Sequence, residues 1–444
     1  PADEGDPQGT AGIAGRVQPP DGNHLKESGG DGGMKKVVLG EVCDFFNGGA
    51  WSDKEYVNEG IPVLKVTNCK STGFQLDNLN YLSEKSREKY KKNNLIIGDV
   101  IVATVGSHPN LIESAAGRSC IVNSQVEGFY LNQNAVCIRT KDKRILSQKY
   151  LGYLCKCADF QHYIQSRGRG AANQMRIAIS SIREYSFILP DIENQQYIAD
   201  ILSAYDDLIE NNQKQIKLLE EAAQRLYKEW FVDLRFPGHE NTKIVDGMPE
   251  GWRVASIADI CDTVGGGTPS TKIQSYYEKG DILWVTPTDI TRNFSLALLD
   301  TEKKITPEGL KNSSAKMLPA ETILMTSRAS VGFFGMCKYE VCTNQGFISC
   351  IPKRENLQMY LLFNLKSRVE EIRQKAGGST YLEISKTVFR ELKIILPKDE
   401  VLAEYQKNVH DIFDEIYCRT EMIKSLVDMR NRLLPKLMSG EVEV

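Results

Sequence analysis

Long apolar runs are missing from the 444-residue sequence, and several catalytic motifs are missing with them. No stretch approaches the roughly 20 apolar residues that a membrane-crossing helix needs, so we expect a chain that stays in water. The sequence also lacks the GxxxxGK(S/T) loop, which excludes the usual NTP-driven motor. It contains neither the Asn-Pro-Pro-aromatic nor the Asp-Pro-Pro-aromatic tetrapeptide of amino-methyltransferases. These absences predict a protein that binds its target and has no catalytic residues of its own.

Paired cysteines and clustered histidines are missing too. The eleven cysteines are an odd number without a CxxC motif, and Cys155 and Cys157 lie too close together for a zinc knuckle. The five histidines lie far apart, and acids such as Asp99 and Glu321 have no neighbours at metal-ligand spacing, although folding could bring some of these groups together. We therefore expect most of the cysteines to be buried, reduced thiols in a cytoplasmic protein that binds no metal and no cofactor.

Large apolar residues are nearly absent from residues 1–33, which are rich in Gly, Pro and Asp. This segment has no apolar centre of the kind that a secretory signal needs. Its composition predicts a disordered leader. The sequence leaves open whether the leader belongs to the natural protein, whose start would otherwise be Met34.

Repetition is abundant, and it is clearest in two long helical stretches. The stretch that starts at Leu189-Pro190 recurs at Leu396-Pro397, a shift of 207 positions. Apolar residues recur in both copies in steps of 3 and 4, and no proline interrupts either copy before Pro435, so each predicts a helix of roughly 50 Å. The residues that we expect between the two helices are Leu202, Tyr205, Ile209, Ile216, Leu219, Leu226, Val409, Ile412, Ile416, Ile423, Leu426 and Leu433.

An apolar stripe on a helix this long needs a partner, and the obvious partner is its own duplicate, packed as an antiparallel, coiled-coil-like pair. The alternative is two ordinary surface helices on separate domains. Asn212 and Arg419 interrupt the two stripes at the equivalent position. They could fix the register of the pair, or they could mark where each stripe turns to solvent.

The two halves also match outside the helices. Strand-like runs and Gly/Asn-rich turns recur in order, so that 98–104 parallels 320–326 and Asn132-Gln133 parallels Asn344-Gln345. In each half the strands precede a short helix, near 147–165 or 356–375, and then the long helix. We predict an α+β fold with two pseudo-symmetric mixed α/β domains separated by a pair of long antiparallel helices. The predicted divisions are the leader at 1–33, a first domain at 34–190, a central helix at 191–236, a second domain at 237–397 and a C-terminal helix at 398–444.

Charge is segregated along the chain, although the net charge is only −3. Residues 138–183 contain ten Lys or Arg against two acids, whereas residues 191–233 contain ten acids against four Lys or Arg. A basic surface suits phosphates, and the acidic helix would repel them. The alternative is a run of charge that is merely solvated.

Several of these segments resemble one protein family. The Pro-x-x-x-x-Gln-x-x-Ile pattern from Pro190 to Ile198 is similar to the helix-start signature of type I restriction-modification specificity subunits. The segments 226–231, 248–252 and 321–328 resemble the end of their central helix, the opening of their second recognition domain and a strand-loop-strand pattern. The resemblance covers about 34–440, although the second helix start, at 401–405, lacks the Gln of the signature.

The resemblance implies a non-catalytic DNA-specificity subunit that recognises a bipartite target, one half-site per domain, with the helices fixing the spacer between them. It also implies two methyltransferase subunits that dock along the helices and a nuclease/translocase subunit, with S-adenosylmethionine, ATP and Mg bound by these partners. Two alternatives remain open: a self-contained DNA methyltransferase or nuclease with diverged motifs, and a protein-only coiled-coil scaffold.

Candidate DNA contacts are polar residues at strand ends and in Gly-rich loops, because such side chains read base edges and hold phosphates. The first half offers Lys65, Thr67, Asn68, Lys70, Ser107, Arg118, Arg167, Arg169, Asn173, Gln174 and Arg176. The second half offers Thr268, Ser270, Thr271, Lys272, Thr286, Thr288, Arg292, Ser327, Arg328, Gly377, Gly378, Ser379 and Thr380. Taken singly, each is more often a solvated turn residue. The two Gly-rich loops are favoured, because Gly permits close backbone approach to phosphate.

Overall fold

The computed structural model describes residues 35–70, 73–76, 79–107, 116–171, 174–378 and 381–442. The leader expected at 1–33 lies outside the described residues. The described chain forms two lobes, one from each half of the sequence, and two long helices that connect them. Within these ranges, no helix combines the length and the apolar character needed to cross a membrane.

The first lobe is built from short strands and short helices. Its strands are β1 (Lys35–Val38), β2 (Cys43–Asn47), β3 (Tyr56–Val57), β4 (Ile61–Leu64), β5 (Cys69–Lys70), β6 (Gly73–Phe74), β7 (Asn80–Leu82), β8 (Val100–Ala103), β9 (Val105–Gly106), β10 (Ser119–Ile121), β11 (Tyr130–Leu131), β12 (Ala135–Thr140), β13 (Arg169–Ala171), β14 (Gln174–Arg176) and β15 (Ser186–Leu189). Its helices are α1 (Leu39–Val42), α2 (Gln148–Lys156), α3 (Ala158–Ser166) and α4 (Ile179–Arg183). The single helix predicted near 147–165 is two helices, because the backbone is extended at Cys157.

The central sheet of the first lobe has the strand order β2-β12-β8-β10. All four residues of β8 are buried, as expected for a short apolar run that has neighbours on both sides. Strand β4 pairs in parallel with β11, and β1 pairs with β15, which leads directly into the first long helix.

The second lobe repeats this topology. Its strands are β16 (Ile244–Val245), β17 (Met248–Pro249), β18 (Arg253–Ser256), β19 (Cys261–Val264), β20 (Ile282–Val285), β21 (Lys304–Ile305), β22 (Ile323–Thr326), β23 (Phe334–Gly335), β24 (Cys342–Thr343), β25 (Phe347–Pro352) and β26 (Lys393–Leu396). The strand order β19-β25-β22-β23 matches β2-β12-β8-β10, the parallel pair β20/β24 matches β4/β11, and β18/β26 matches β1/β15. The predicted pseudo-symmetry of the two domains is therefore confirmed.

The helices of the second lobe follow the same plan. They are α6 (Ile257–Ile260), α7 (Pro287–Thr291), α8 (Pro307–Lys311), α9 (Gln358–Ser367), α10 (Val369–Gln374) and α11 (Lys386–Arg390). The helix predicted near 356–375 is again divided, into α9 and α10. Both α2 and α9 start on a glutamine whose side chain donates to the carbonyl of the turn before β8 or β22.

That turn shows that the match of 98–104 with 320–326 in the sequence is displaced by one residue. Gly98 and Glu321 both have positive φ, +89° and +59°, and they occupy the equivalent place in the two lobes. The residue that precedes β22 is therefore Thr322, and its counterpart before β8 is the buried Asp99. A match of Asp99 with Glu321 is wrong by one position.

The two long helices run antiparallel through the middle of the molecule. Helix α5 (Ile192–Tyr227) continues as a π-helical turn at Lys228–Val232, and α12 (Asp399–Ser439) has 41 residues. At 1.5 Å per residue they are about 54 and about 62 Å long. Nη1 of Arg419 donates to Oδ1 of Asn212 at 3.2 Å. These two residues are equivalent in the repeat. Equivalent residues of an antiparallel pair can meet only on its pseudo-twofold axis, so this hydrogen bond marks the axis.

Each long helix begins on its own lobe and ends against the other lobe. Leu434 and Leu437 at the end of α12 pack in the core of the first lobe. Ala223 and Tyr227 at the end of α5 pack in the core of the second lobe. Two of the expected interface residues belong to the first of these cores, namely Leu202 and Leu433. Those in the second core are Ile209, Ile216, Leu219, Leu226, Val409, Ile412, Ile416, Ile423 and Leu426. Tyr205 is half-buried outside both.

A glutamine fastens each long helix to its own lobe. Oε1 of the fully buried Gln195 accepts a hydrogen bond from the backbone N–H of Ser147 at 2.9 Å. The second copy lacks this Gln, yet Gln406, one turn further along, accepts from the backbone N–H of Met359 at 2.9 Å. The departure from the helix-start signature therefore moves this contact by one helical turn without removing it.

A buried ionic cluster joins the first lobe to both helices. The Asp206 carboxylate accepts hydrogen bonds from the Tyr153 hydroxyl at 2.9 Å, from Lys156 Nζ at 3.2 Å and from Arg430. Burial alone would raise the pKa of the Asp206 carboxyl, but the positive charges of Lys156 and Arg430 outweigh this effect and lower it. The positions equivalent to Asp206 and Arg430 carry Phe413 and Ala223, both buried in the second core. The two lobes are therefore attached by different chemistry.

The cysteines lie mostly in the cores. All eleven are free thiols, ten of them buried, while Cys418 on α12 is exposed. Burial raises the pKa of the Cys43 and Cys157 thiols to about 12. The expectation that most of the thiols are buried is confirmed, with Cys418 as the exposed one.

Candidate nucleic-acid interface

The Gly-rich loop of the first lobe is a β-hairpin that presents two arginines side by side. Strand β13 pairs with β14, and β14 pairs with β9, so that Arg169 lies directly opposite Arg176. Both side chains are exposed, and neither has a hydrogen bond or ion pair with any residue that the structure describes. Like charges directly opposite each other on a β-ladder are unfavourable. An anion that contacts both guanidinium groups would remove this repulsion.

Arg167 and Gln174 flank the hairpin. The Arg167 guanidinium lies 3.6 Å from the centre of the Tyr163 ring and donates to the Tyr163 carbonyl at 3.3 Å. Gln174 is exposed at the start of β14, and Asn173 lies outside the described residues. Arg167 is thus held against its own helix, and the unpaired arginines of the hairpin are Arg169 and Arg176.

The glycines of both loops are required by the hairpins themselves. Gly170 has φ +146°, and a Cβ there would lie 2.1 Å from the Gln174 carbonyl oxygen. Gly378 has φ +134°, and a Cβ there would lie 2.1 Å from the Tyr381 carbonyl oxygen. The sequence interpretation is that Gly lets the backbone approach phosphate. The structure gives a second reason for these glycines, because a side chain at either position would collide with the facing strand of the hairpin. Two further predicted residues of the second loop, Ser379 and Thr380, lie outside the described residues.

The equivalent face of the second lobe contains a cleft of about 500 Å³. Arg328 pairs with Glu383 across a β-bridge, and its Nε lies 3.6 Å from the Glu383 Oε2, with both side chains half-exposed. Glu383 also forms a bridge with Gly377. The predicted residues Thr288 and Arg328 line the cleft together with Asn344, Gln345 and the exposed Tyr381.

Two amides in this cleft have their oxygens engaged and their nitrogens available. Oδ1 of Asn344 accepts from the Gly346 N–H at 2.8 Å, and Oε1 of Gln345 accepts from the Thr268 hydroxyl at 2.5 Å. Within the described part of the chain, the amide nitrogens of Asn344 and Gln345 have no hydrogen-bond acceptor. They can donate to a ligand without breaking the turn that they stabilise.

Three predicted DNA contacts hold their own lobe together instead. Oδ1 of Asn68 accepts from the Lys65 N–H at 2.9 Å, and the Thr286 hydroxyl bonds the Asp289 carboxylate at 2.6 Å. Ser327 is buried, with 3% of its surface exposed. The polar groups of Asn68 and Thr286 stabilise their own turns and Ser327 is shielded from solvent, and the DNA-contact role of all three stays a prediction.

Other predicted contacts lie away from the hairpin and the cleft. Lys70 and Arg118 line a cavity of about 700 Å³ between the first lobe and α5. Arg292 pairs with Glu302 at 3.4 Å. The remaining candidates outside the hairpin and the cleft are Lys65, Thr67, Ser107, Ser270, Thr271 and Lys272.

Four of the ten basic residues in the run at 138–183 pair with acids. Lys149 pairs with Asp200 at 3.2 Å and Lys156 with Asp206, which places basic residues against the acidic helix α5. Arg139 bonds both carboxylate oxygens of Asp99. Arg144 pairs with Asp142. Lys141 donates to two backbone carbonyls, and the Arg183 guanidinium lies over the Phe45 ring. The other basic residues of the run have no acidic partner among the described residues, and of these Arg169 and Arg176 lie side by side at the hairpin. That the run as a whole binds phosphate stays a prediction.

Glu321 has companions that the sequence did not indicate. The His410 ring on α12 lies between two carboxylates, with Nε2 3.1 Å from Glu321 and Nδ1 3.3 Å from Asp414. One ligand atom from each residue can be chosen so that all three lie within 4.8 Å of one another. Lys338 Nζ already lies 2.6 Å from Asp414 and opposes a cation there. The description of Glu321 as an isolated acid is wrong.

Three residues at or next to the cleft are absent from the candidate DNA contacts that the sequence offers, namely Gln345, Tyr381 and Glu383. The recurrence of Asn132-Gln133 as Asn344-Gln345 is a usable signal, and the structure confirms that these pairs follow the equivalent strands β11 and β24. Tyr381 and Glu383 belong to no repeated motif. Only the hairpin brings Tyr381 to the cleft and Glu383 next to Arg328.

Comparison with known proteins gives one consistent result. The model of the type I restriction modification DNA specificity domain matches residues 32–221 and again 249–427. The type I restriction enzyme HindI specificity subunit of Haemophilus influenzae is 23% identical over 474 residues, covering 92% of this chain and 99% of that protein. The MjaIX specificity subunit of Methanocaldococcus jannaschii is 38% identical over 173 residues, 38% of this chain and 39% of that protein. The S subunit of the type I restriction-modification system from M. genitalium has the same fold, with a TM-score of 0.51, 17% identity, and 91% and 95% of the two chains covered.

Proposed function

The chain belongs to the type I restriction-modification DNA specificity family, and from that premise we propose that it recognises a DNA target in two parts, one part per lobe. It is a specificity component, that is, a non-catalytic DNA-recognition subunit of a type I restriction-modification complex. The chemistry on DNA is then performed by other subunits.

One observation carries the proposal: two lobes of the same topology sit at opposite ends of an antiparallel helix pair with its axis at Asn212 and Arg419. Duplex DNA has the same twofold symmetry in its backbone, so each lobe can meet the duplex in an equivalent way. The helices, about 54 and about 62 Å long, keep the lobes at a set separation. Half-sites about one helical turn apart, or a multiple of it, are the geometric expectation.

The partners and cofactors are part of the proposal. Two methyltransferase subunits dock along the helix pair and carry S-adenosylmethionine, and a nuclease/translocase subunit that uses ATP and Mg joins them in the cytoplasm. Supporting this, both long helices expose large apolar side chains, with Leu218 63% and Met429 55% exposed. A methyltransferase subunit docked along the helix pair would cover these side chains.

Methylation mapping tests the proposal directly. Host DNA is mapped with and without the gene for this chain, and then with residues 34–190 exchanged for those of another family member. We expect a two-part motif that disappears with the chain, and of which one half changes in the exchange. A motif that survives deletion, or an exchange that alters both halves, would contradict it. Purified chain that methylates or cuts DNA alone would favour a self-contained enzyme.

A further inference from the structure

The two lobes share a fold but differ in chemistry at equivalent positions of the proposed DNA face. Strand pairing places Arg176 of the first lobe beside Val105, and the same bridge in the second lobe joins Glu383 to Arg328. The hairpin position opposite them is Arg169 in the first lobe and Gly377 in the second. The described hairpin of the first lobe therefore carries two positive charges, while the matching group of the second lobe carries one of each sign.

The first-lobe face suits phosphates. Arg169 and Arg176 are exposed, unpaired within the described chain and directly opposite each other. Two guanidinium groups at this spacing are stabilised by an anion, and the DNA backbone supplies one at every nucleotide. Phosphate contacts of this kind fix position but carry no sequence information.

The second-lobe face suits base edges instead. Glu383 lies beside Arg328 at the edge of the cleft and repels phosphate, so this face is a poor site for the backbone. Its side chains match the known pairings with bases, since Arg contacts guanine at O6 and N7, Gln contacts adenine, and Glu accepts from the amino group of cytosine. The Arg328–Glu383 contact is 3.6 Å long and half-exposed, which makes it weak and easily exchanged for a base.

We propose that the second lobe selects its half-site through Arg328, Gln345 and Glu383, whereas the Arg169–Arg176 pair of the first lobe holds the phosphate backbone. The inference rests on the proposed DNA-recognition function and assigns different tasks to the equivalent faces of the two lobes. Gln345 donates through an amide nitrogen whose partner oxygen is fixed by Thr268, so its orientation is set before DNA arrives. Such fixed donors are the ones that discriminate between bases.

Selection from a random-sequence duplex library tests the assignment, because the library contains every short target and the chain itself picks out the bases that it prefers. The full chain, in the complex in which it is purified, selects duplexes from the library at one salt concentration, and the enriched motif is compared between variants.

Arg328→Lys keeps the positive charge but loses the two-pronged donor geometry. Gln345→Ala removes the amide. We expect each to relax base preference in one half of the motif by about tenfold and to leave the salt dependence of binding unchanged.

Arg169→Ala with Arg176→Ala is the contrasting variant. It should lower affinity for all duplexes and flatten the salt dependence while selecting the same motif as the unchanged chain. The assignment is overturned if the Arg328 and Gln345 variants select the unchanged motif, or if the Arg169/Arg176 variant changes the bases selected. Failure of the unchanged chain to enrich any two-part motif would instead overturn the proposed function. Melting temperatures within about 2 °C of the unchanged chain show that each variant is folded.

Discussion

Replacing Asp206 by Asn removes the carboxylate on which Tyr153, Lys156 and Arg430 converge. Arg430 has only 9% of its side chain exposed, so the variant leaves a buried guanidinium without a negative partner. Removing one member of a buried ion pair costs about 3–5 kcal/mol. The Asp206 side chain is 28% exposed, which allows water to replace part of the lost interaction. We therefore expect Asp206→Asn to destabilise the first lobe by about 2–3 kcal/mol.

The second half of the chain supplies a control for this cluster. Its residues at the equivalent positions are Phe413 and Ala223, which are both buried. The double variant Asp206→Phe with Arg430→Ala removes both charges and copies that arrangement. Replacing a buried ion pair by apolar residues is often neutral, so we expect the double variant to lie within about 1 kcal/mol of the unchanged chain. It should be closer to the unchanged chain than Asp206→Asn is.

Hydrogen exchange measures both lobes in one molecule. In Asp206→Asn the amides of β8 in the first lobe should exchange at least about tenfold faster, while those of β22 in the second lobe should not change. A urea titration followed by circular dichroism gives the loss of stability, with the first lobe unfolding at lower urea concentration. Equal exchange in β8 with and without the substitution would refute the role of the cluster, and so would a double variant less stable than Asp206→Asn.

The same cluster predicts a dependence on pH. The pKa of the Asp206 carboxyl is lowered in the folded chain, so the folded state favours the ionised form. This contribution is fully present above the unfolded value of about 3.9 and is lost as pH falls through the lowered pKa. The first lobe should therefore lose stability in acid, and Asp206→Asn should lose less than the unchanged chain over the same range.

Three further predictions follow from the hairpin and the thiols. Arg169→Ala with Arg176→Ala should reduce the slope of log affinity against log salt by about 2, because each phosphate contact contributes about 0.9. Gly170→Ala should destabilise the hairpin by about 1–3 kcal/mol and weaken DNA binding, whereas Gly128→Ala, with φ +80° and open space around it, should cost about 1 kcal/mol and leave binding unchanged. Under native conditions a thiol reagent should label one cysteine quickly, the exposed Cys418, and all eleven after denaturation.

Matched control variants separate these effects from a general change in net charge or stability. Arg235 and Arg253 are exposed, and their side chains make no hydrogen bond or ion pair within the described residues, so their joint replacement by Ala removes the same charge elsewhere. A salt slope reduced equally by that variant would show a general effect of net charge. Binding by Gly170→Ala that equals binding by Gly128→Ala would show that the hairpin shape is unimportant. Fast labelling of several thiols would contradict the buried positions of the other ten.

The architecture is predictable because it follows from long patterns in the sequence. The 207-residue repeat and the apolar stripes define a pair of equivalent helices, and an antiparallel pair covers both stripes. The repeat alone identifies Asn212 and Arg419 as equivalent interruptions. That they bond to each other follows from the antiparallel geometry, in which equivalent residues meet only at the axis.

The details of the interface are not predictable, because they depend on contacts between distant or unrepeated residues. Arg139 sits in a basic run, yet its partner Asp99 lies 40 positions earlier and is reached only through the sheet. Arg169 and Arg176 become neighbours through the register of one hairpin. The equivalent positive-φ turns contain Gly98 in one lobe and Glu321 in the other. Because the residue types differ, the sequence does not reveal that these two positions match, and the alignment is wrong by one residue there.

The separation of the two lobes is the quantity to which the proposal is most sensitive. Inserting three heptads (21 residues) into α5 after Asn212 and three into α12 after Arg419 preserves the stripe and adds about 32 Å to each helix, close to the length of one DNA turn. Selection from the random-sequence duplex library then reports the target of the lengthened chain. We expect the same two half-sites with a spacer longer by about nine base pairs, at about 3.4 Å per pair, which keeps both half-sites on the same face of the duplex. An unchanged spacer would contradict the account, since the helices would then not set the distance between the two readers.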